Sequence, residues 1–356
     1  MNLKYLAAAV FCMTAPAAAS TSTLTTAAYP LVMYAPEYSL MLGGGAVFVA
    51  RHGSAAVDTK PDNITVNALY TLKNQTVLQF LPEFYSKNES LKFRATILYQ
   101  DMPTSFFGVG NSGSMNSANI TAREEKYTNR TFIFQPQLTH TIWGRLKVGL
   151  SYDLKSTRVL KIATGGRLAS GSVPGAAGGE LSGLGLMLDY DSRDSLFFPS
   201  RGAYAQMTTR FYREAFGSDY TYDYYAADLR GYRKLGDGGV LALQFAVVAA
   251  GQGVPFYDMP FYDLRGIFNS YFTNRSSYYA QAEYRFPLSS RLSAVVFGGG
   301  GNSAPRPGLL SFKTMQFAGG SGLRFVLDKN EKINMRLDIG ASRWGVQPYF
   351  GITEAF

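Results

Sequence analysis

The chain has 356 residues, of which 46% are hydrophobic and 14% aromatic, with a formal net charge of +9 and one cysteine. A single cysteine excludes a disulfide framework, and the basic excess forms no Lys/Arg cluster, which argues against nucleic-acid binding. After the first twenty residues there is no run of about 18 apolar residues, so the sequence predicts no transmembrane helix.

The N-terminal segment, residues 1–19, has the pattern of a bacterial secretory signal peptide. Lys4 supplies a positive charge, an apolar stretch follows, and Ala17-Ala18-Ala19 forms a small-residue cleavage site. We therefore predict that residues 20–356 are exported as one domain, without cysteine because Cys12 leaves with the signal peptide. No linker or internal repeat divides this region.

The remainder of the chain alternates apolar and polar residues with a period of two, as β-strands do. Clear examples are Leu91–Gln100, Arg145–Lys155, Tyr278–Phe286 and Ile333–Ser342. Charged residues occur in mid-strand on one face, while the other face is nearly free of them. A wet lumen and a surface in contact with outer-membrane lipid explain this asymmetry better than a soluble β-sandwich does.

The strand count and the connections complete the prediction of the fold. We count fifteen clear strands and a short first strand at Tyr29–Tyr34, an even sixteen as bacterial barrels require. Short connections near Arg145, Gly236, Pro287 and Asn330 alternate with longer ones, as periplasmic turns and outer loops do. The sequence predicts an all-β fold, a 16-stranded antiparallel transmembrane β-barrel.

The C-terminal segment reads WGVQPYFGITEAF, in which Val346, Phe350 and Ile352 share the parity of Phe356. A last amphipathic strand that ends on an aromatic residue resembles the signal recognised by the barrel-assembly machinery of the outer membrane. We therefore predict Phe350, Ile352 and Phe356 as that signal, and the assembly machinery as a partner during biogenesis.

Prolines mark both strands that would meet when the barrel closes. Pro348 removes a hydrogen-bond donor from the last strand, and Pro30 and Pro36 bracket the short first strand. Two interpretations are equally open: a weak seam between the first and last strands, or prolines that strand ends tolerate in any barrel.

Four motifs, LDYDSRDSLFFPSRG, LRG, AEYRFP and VVFGGGGNS, occur in this order along the chain. Their order and spacing resemble those of the BamA/TamA superfamily of outer-membrane barrels, also called the bacterial surface antigen family. Residues 188–202, LDYDSRDSLFFPSRG, resemble a family strand that ends in Tyr-Asp-x-Arg-Asp before a Pro…Gly turn. Leu264-Arg265-Gly266 resembles the Arg-Gly at the tip of the sixth outer loop. Residues 282–287, AEYRFP, resemble the strand after that loop, and VVFGGGGNS resembles the next one. The resemblance covers roughly residues 29–356.

The resemblance implies that the long sixth extracellular loop folds back into the lumen, where its arginine meets acidic side chains. It makes Arg265 and Gly266 the loop-anchoring residues and Glu283, inward by parity, the partner of Arg265. The family's second acid corresponds to Gly299 here, so we expect Arg265 to have one acidic partner.

The charged residues after the eighth predicted strand form another candidate site. We interpret Asp191, Arg193 and Asp194 as a charged network that closes the periplasmic end of the barrel.

The family's activity implies insertion or translocation of protein or lipid, with a polypeptide client. Too few residues separate Ser20 from the first strand for the POTRA domains that client-handling members usually carry. Residues 29–48, YPLVMYAPEYSLMLGGGAVF, and residues 106–114, FFGVGNSGS, resemble barrel-only members of the family. The partner is expected to be a polypeptide client or a separate periplasmic protein.

The alternative function is a passive pore or a structural surface antigen, because Lys92, Arg94 and Arg210 read as lumen-facing cations. An enzyme is not favoured, since His52 and His140 are the only histidines and Gly-x-Ser-x-Gly is absent. We accordingly predict no catalytic residue, metal or cofactor.

Overall fold

In the computed structural model, sixteen strands form one antiparallel sheet in which every strand pairs with its neighbours in sequence. The structure describes residues 23–35, 39–51, 60–71, 75–86, 88–110, 117–236, 238–329 and 332–356. The predicted signal peptide and Pro36 lie outside these residues. The strands are β1 (Thr23–Ala35), β2 (Ser39–Arg51), β3 (Asp62–Thr71), β4 (Thr76–Tyr85), β5 (Leu91–Phe106), β6 (Glu125–Trp143), β7 (Leu146–Leu160), β8 (Gly178–Asp191), β9 (Gly202–Tyr212), β10 (Tyr222–Leu235), β11 (Gly239–Ala250), β12 (Ser276–Pro287), β13 (Leu292–Ala304), β14 (Gln316–Asp328), β15 (Ile333–Ser342) and β16 (Gly345–Ile352).

The sheet curves until β1 and β16 lie side by side, which makes a nearly closed barrel. Its two faces differ as the sequence predicts. On β15, Leu337 and Ile339 are 48% and 53% exposed, whereas Asp338 between them is fully buried. Exposed apolar residues and buried charged ones are the arrangement of a barrel whose outer face meets lipid. The prediction of a 16-stranded antiparallel barrel is confirmed.

The first strand is longer than predicted. β1 runs from Thr23 to Ala35, so the prediction of a short strand at Tyr29–Tyr34 is wrong, and Pro30 lies inside the strand, opposite Gly44 of β2. An edge strand tolerates proline because part of its hydrogen-bonding capacity faces no partner. Tyr29 also stabilises this strand, since its hydroxyl donates to Asn67 Oδ1 of β3 at 2.5 Å.

The remaining elements are short. Among the described residues, one α-helix, α1, spans Ser117–Thr121, and 3₁₀ turns span Glu214–Phe216, Phe256–Asp258, Asn269–Phe272, Pro307–Leu309 and Phe312–Thr314. No helix in the described part of the chain has the length and apolarity needed to cross a membrane.

The connections differ between the two ends of the barrel. We call the end with the β6–β7 and β10–β11 turns the short-turn end, and the opposite one the long-loop end. At the long-loop end, residues 251–275 between β11 and β12 form what we call the sixth connection. Its Tyr262, Leu264 and Phe272 pack with Phe107 from the β5–β6 connection and Trp344 from the β15–β16 turn. This packing sets the position of Arg265.

Candidate functional site

Arg265 contacts two buried carboxylates on the inner face of the barrel. Its Nη1 donates to Asp338 Oδ2 at 2.6 Å, and its Nη2 lies 2.7 Å from Glu283 Oε2 as an ion pair outside hydrogen-bonding geometry. The guanidinium also lies over the Phe297 ring, with its carbon 3.5 Å from the ring centroid. A planar guanidinium suits this place because it can meet two carboxylates and an aromatic face together.

The expectation of a single acidic partner for Arg265 is wrong. The second acid is Asp338, from β15. Gly299 instead makes room for the connection, since a Cβ there would lie 2.9 Å from Leu264 Cδ2. Gly301, two residues further along β13, makes room for Tyr262, because a Cβ at Gly301 would lie 2.8 Å from the Tyr262 ring.

Arg265 belongs to a larger group of buried charges, which we call the interior ion cluster. Its members are Arg265, Arg285, Arg324, Glu283, Asp338 and Glu354. Arg285 Nε lies 2.7 Å from Glu283 Oε1, and Arg324 bridges Asp338 at 2.5 Å and Glu354 at 2.7 Å. Each carboxylate touches at least two guanidiniums, which offsets the free-energy cost of removing these charges from water.

The backbone of the Arg265-Gly266 segment lies directly against β15 and β16. The Gly266 amide donates to Tyr349 Oη at 2.7 Å, and the Gly266 carbonyl accepts from Ser342 Oγ at 2.5 Å. Gly266 has a φ of 106°, which glycine adopts readily. A Cβ at Gly340 would lie 2.6 Å from the Arg265 carbonyl carbon. Two glycines therefore permit this approach, and side-chain contacts hold it.

The seam between β1 and β16 lies next to this contact. Consecutive strands from β1–β2 to β15–β16 form backbone ladders, whereas no residue of the described β1 pairs with a residue of β16. Phe350 packs, half-buried, against a cluster that includes Tyr29 and Leu31 of β1. Pro348 lies in β16 opposite Ile339 and is exposed. The contact between the edge strands is therefore one of side chains.

The C-terminal segment leaves the sheet and turns inward, so the prediction of a last strand that runs to Phe356 is wrong. β16 ends at Ile352, and the next residue, Thr353, has a φ of 66°. The Ile352 side chain is not among the described ones. Phe356 is buried against Tyr232 of β10 and Ala242 of β11. Its carbonyl accepts from Arg285 Nη2 at 3.1 Å, so buried arginines draw this segment away from the lipid-facing surface. The role of Phe350, Ile352 and Phe356 as an assembly signal stays a prediction.

The structure brings together two of the three charged residues predicted at the short-turn end. Arg193 binds both oxygens of the Asp191 carboxylate: its Nε donates to Oδ1 at 2.9 Å, and its Nη2 donates to Oδ2 at 3.0 Å. Lys60 Nζ lies 2.5 Å from the same Asp191 Oδ2. Asp194 contacts neither, because its oxygens accept from the amide and hydroxyl of Ser200 and from the amide of Arg201. Asp194 thus closes the β8–β9 turn, and the network consists of Asp191, Arg193 and Lys60.

Asp194 gives a pH-dependent prediction. Burial opposes its ionisation, but hydrogen bonds from Ser200 and Arg201 outweigh this effect and lower the pKa below the usual 3.8. Such a carboxylate adds stability above its unfolded pKa, and the gain is lost as the pH falls through the folded pKa. We expect Asp194→Asn to lower the thermal midpoint by about 2 °C near neutral pH, with the difference vanishing in strong acid. Calorimetry across this range checks the prediction, and a difference independent of pH contradicts it.

Sequence reasoning missed Asp338, Glu354 and Gly340 as parts of this site. One feature of the sequence pointed to Asp338: it is an acid in mid-strand on the polar face of β15. Gly340 and Glu354 had none, because the close approach and the inward turn depend on contacts between distant segments.

The nearly closed antiparallel sheet, the apolar exterior and the charged interior define an outer-membrane β-barrel. The model of the Omp85 superfamily domain matches residues 60–340. The chain belongs to the Omp85 superfamily.

Two solved structures are similar in fold. For BamA from Haemophilus ducreyi lacking POTRA domains 1–3, the TM-score is 0.56 at 14% identity, covering 94% of this chain and 70% of that chain. For CdiB from Acinetobacter baumannii, the TM-score is 0.55 at 12% identity, covering 92% of this chain. The chain spans 59% of the length of that CdiB chain. No match to a curated protein sequence was found.

Proposed function

We propose that the protein takes part in the insertion or translocation of polypeptides at the bacterial outer membrane. The observation that carries this proposal is the seam, where β1 and β16 are adjacent but share no backbone ladder among the described residues. Edge strands without a partner present N–H and C=O groups that an incoming strand can pair with. In a bilayer such groups must be satisfied, which favours the entry of a strand from a client.

The sixth connection would act as an inward-folded anchor beside this seam. Arg265 links it to Glu283 on β12 and to Asp338 on β15, while Gly266 contacts Ser342 and Tyr349. These contacts support a model in which the interior ion cluster keeps β15 and β16 in place while the seam opens. The short-turn end would then face the periplasm and any separate partner there.

A passive pore is less well supported. Two of the cations that read as lumen-facing have acids nearby: Lys92 pairs with Asp189, and Arg210 Nε lies 3.5 Å from Asp153 Oδ2. Paired charges do not select anions as a ring of uncompensated cations would. The aromatic residues of the sixth connection also occupy the long-loop end.

The test compares the outer-membrane and secreted proteomes of four strains. Three express the wild type, Arg265→Ala or Arg275→Ala, and the fourth lacks the gene. We expect Arg265→Ala to deplete the same proteins as the deletion, because the connection loses its anchor. Arg275→Ala is the matched control, since Arg275 belongs to the same connection but lies outside the interior ion cluster. Unchanged proteomes in the deletion strain would rule out a role in delivery.

A further inference from the structure

The short-turn end contains a cavity of about 940 Å³, which we call the basic mouth cavity. Side chains from several turns and strand ends line it, and apolar Pro61, Leu196 and Phe197 form part of its wall. Six of its described lining residues are basic and three are acidic. The basic residues are Arg51, Lys60, Arg145, Lys147, Arg193 and Lys332.

The three acids already have partners. Asp191 is shared between Lys60 and Arg193, and Asp194 accepts from the β8–β9 turn. Glu89 Oε1 accepts from the backbone amide of Lys60 at 2.7 Å. Arg51 has an interaction partner as well. The lining acids therefore compensate only part of the charge of the other five basic residues.

Lys147 is the most deeply buried of the basic residues that line the cavity. It is 7% exposed, and its ammonium donates to the Glu89 carbonyl and, at 3.1 Å, to Thr141 Oγ1. Both acceptors are neutral, and no described carboxylate forms an ion pair with Lys147. Arg145 and Lys332 are exposed at the rim and form no ion pair with a described carboxylate either. A buried ammonium without an ion-pair partner is costly, so this cavity is suited to an anion.

We propose that the basic mouth cavity binds a phosphate-bearing ligand. Arginine forks and lysine point charges are the usual protein partners of phosphate. The volume lies within the range of small-ligand sites and exceeds that of a bare phosphate, so it leaves space for a glycerol or sugar beside the apolar wall. The burial of Lys147 favours a compact phosphate group over an acidic polypeptide. The phosphate could belong to a lipid headgroup or to a free solute.

The experiment measures binding to the purified full chain in detergent-free phosphatidylcholine nanodiscs. Inorganic phosphate and, separately, polyglutamate are titrated by calorimetry. Vesicles of phosphatidylcholine with and without phosphatidylglycerol are tested as competitors of phosphate. Arg145→Gln/Lys332→Gln removes two rim cations. Arg306→Gln/Lys313→Gln is the matched control, with the same charge change on exposed residues between β13 and β14, at the opposite end.

We expect the rim variant to weaken phosphate binding about tenfold, the loss of roughly one charge-assisted hydrogen bond, and the control to bind as the wild type does. Competition by phosphatidylglycerol vesicles identifies a lipid headgroup, and phosphate binding without competition identifies a free solute. Lys147→Met, which should weaken binding too, provides a second variant if the rim variant fails to fold. The proposal is overturned if the wild type binds neither probe, if the rim variant and the control bind equally, or if only polyglutamate binds.

Discussion

Glu283→Gln is expected to lower the free energy of unfolding by about 3–5 kcal/mol, because it leaves buried guanidiniums without their counter-charge. Glu283 is fully buried and contacts Arg265 and Arg285, each at 2.7 Å, and Arg324 at 3.4 Å. Glutamine keeps the shape of the side chain and removes the charge. Denaturant unfolding in detergent, followed by the electrophoretic shift between folded and unfolded barrel, measures the loss.

Glu180→Gln is the control for this substitution. Glu180 is exposed on β8 near the long-loop end and accepts from Ser156 Oγ, so its change should stay within about 0.5 kcal/mol. Equal effects of the two substitutions would mean that the charge of Glu283 contributes nothing to the barrel.

Gly340→Val should detach the Arg265-Gly266 segment from the wall. A Cβ at Gly340 would lie 2.6 Å from the Arg265 carbonyl carbon and 2.7 Å from the Gly266 nitrogen, which are backbone atoms held on both sides. Because Arg265 is buried, trypsin reaches its peptide bond only after local opening. We expect cleavage after Arg265 to accelerate at least about tenfold, as a loss of 1–2 kcal/mol of local stability would give.

Gly231→Val provides the matched control. It introduces the same side chain in mid-strand on β10, where a Cβ would meet no atom within 4 Å. Cleavage after Arg265 should then match the wild type. If Gly340→Val also leaves this cleavage rate unchanged, the approach of the segment to β15 does not hold it in place.

The strands could be predicted from the sequence wherever alternation was uninterrupted. The predicted segment Ile333–Ser342 coincides with β15, and the predicted segment Tyr278–Phe286 lies within β12. The alternation is a local consequence of one face in lipid and one in the lumen, so a short window is enough to detect it. β1 was underestimated because Pro30 was taken as a boundary, although an edge strand accommodates it.

The site was only partly predictable, since its contacts join residues far apart in the chain. The alternation of apolar and polar residues in Tyr278–Phe286 placed Glu283 on the inner face of the barrel. The resemblance to the family suggested Arg265 as its partner. The second partner, Asp338, lies 73 residues from Arg265, and barrel register, not sequence spacing, brings the two together. Phe356 was misplaced for a similar reason: periodicity cannot report that Glu354 will pair with Arg324 and turn the chain inward.

The account depends on Arg265 fixing the sixth connection to β15 beside the seam, and a double-mutant cycle between Arg265→Met and Asp338→Asn tests this most directly. Unfolding free energies of the four proteins should give a coupling of about 1–3 kcal/mol. The control is the pair Arg130–Asp101, whose side chains are 44% and 22% exposed. A double-mutant cycle on this pair should give a coupling free energy of less than about 1 kcal/mol. A coupling of zero between Arg265 and Asp338 would contradict the account.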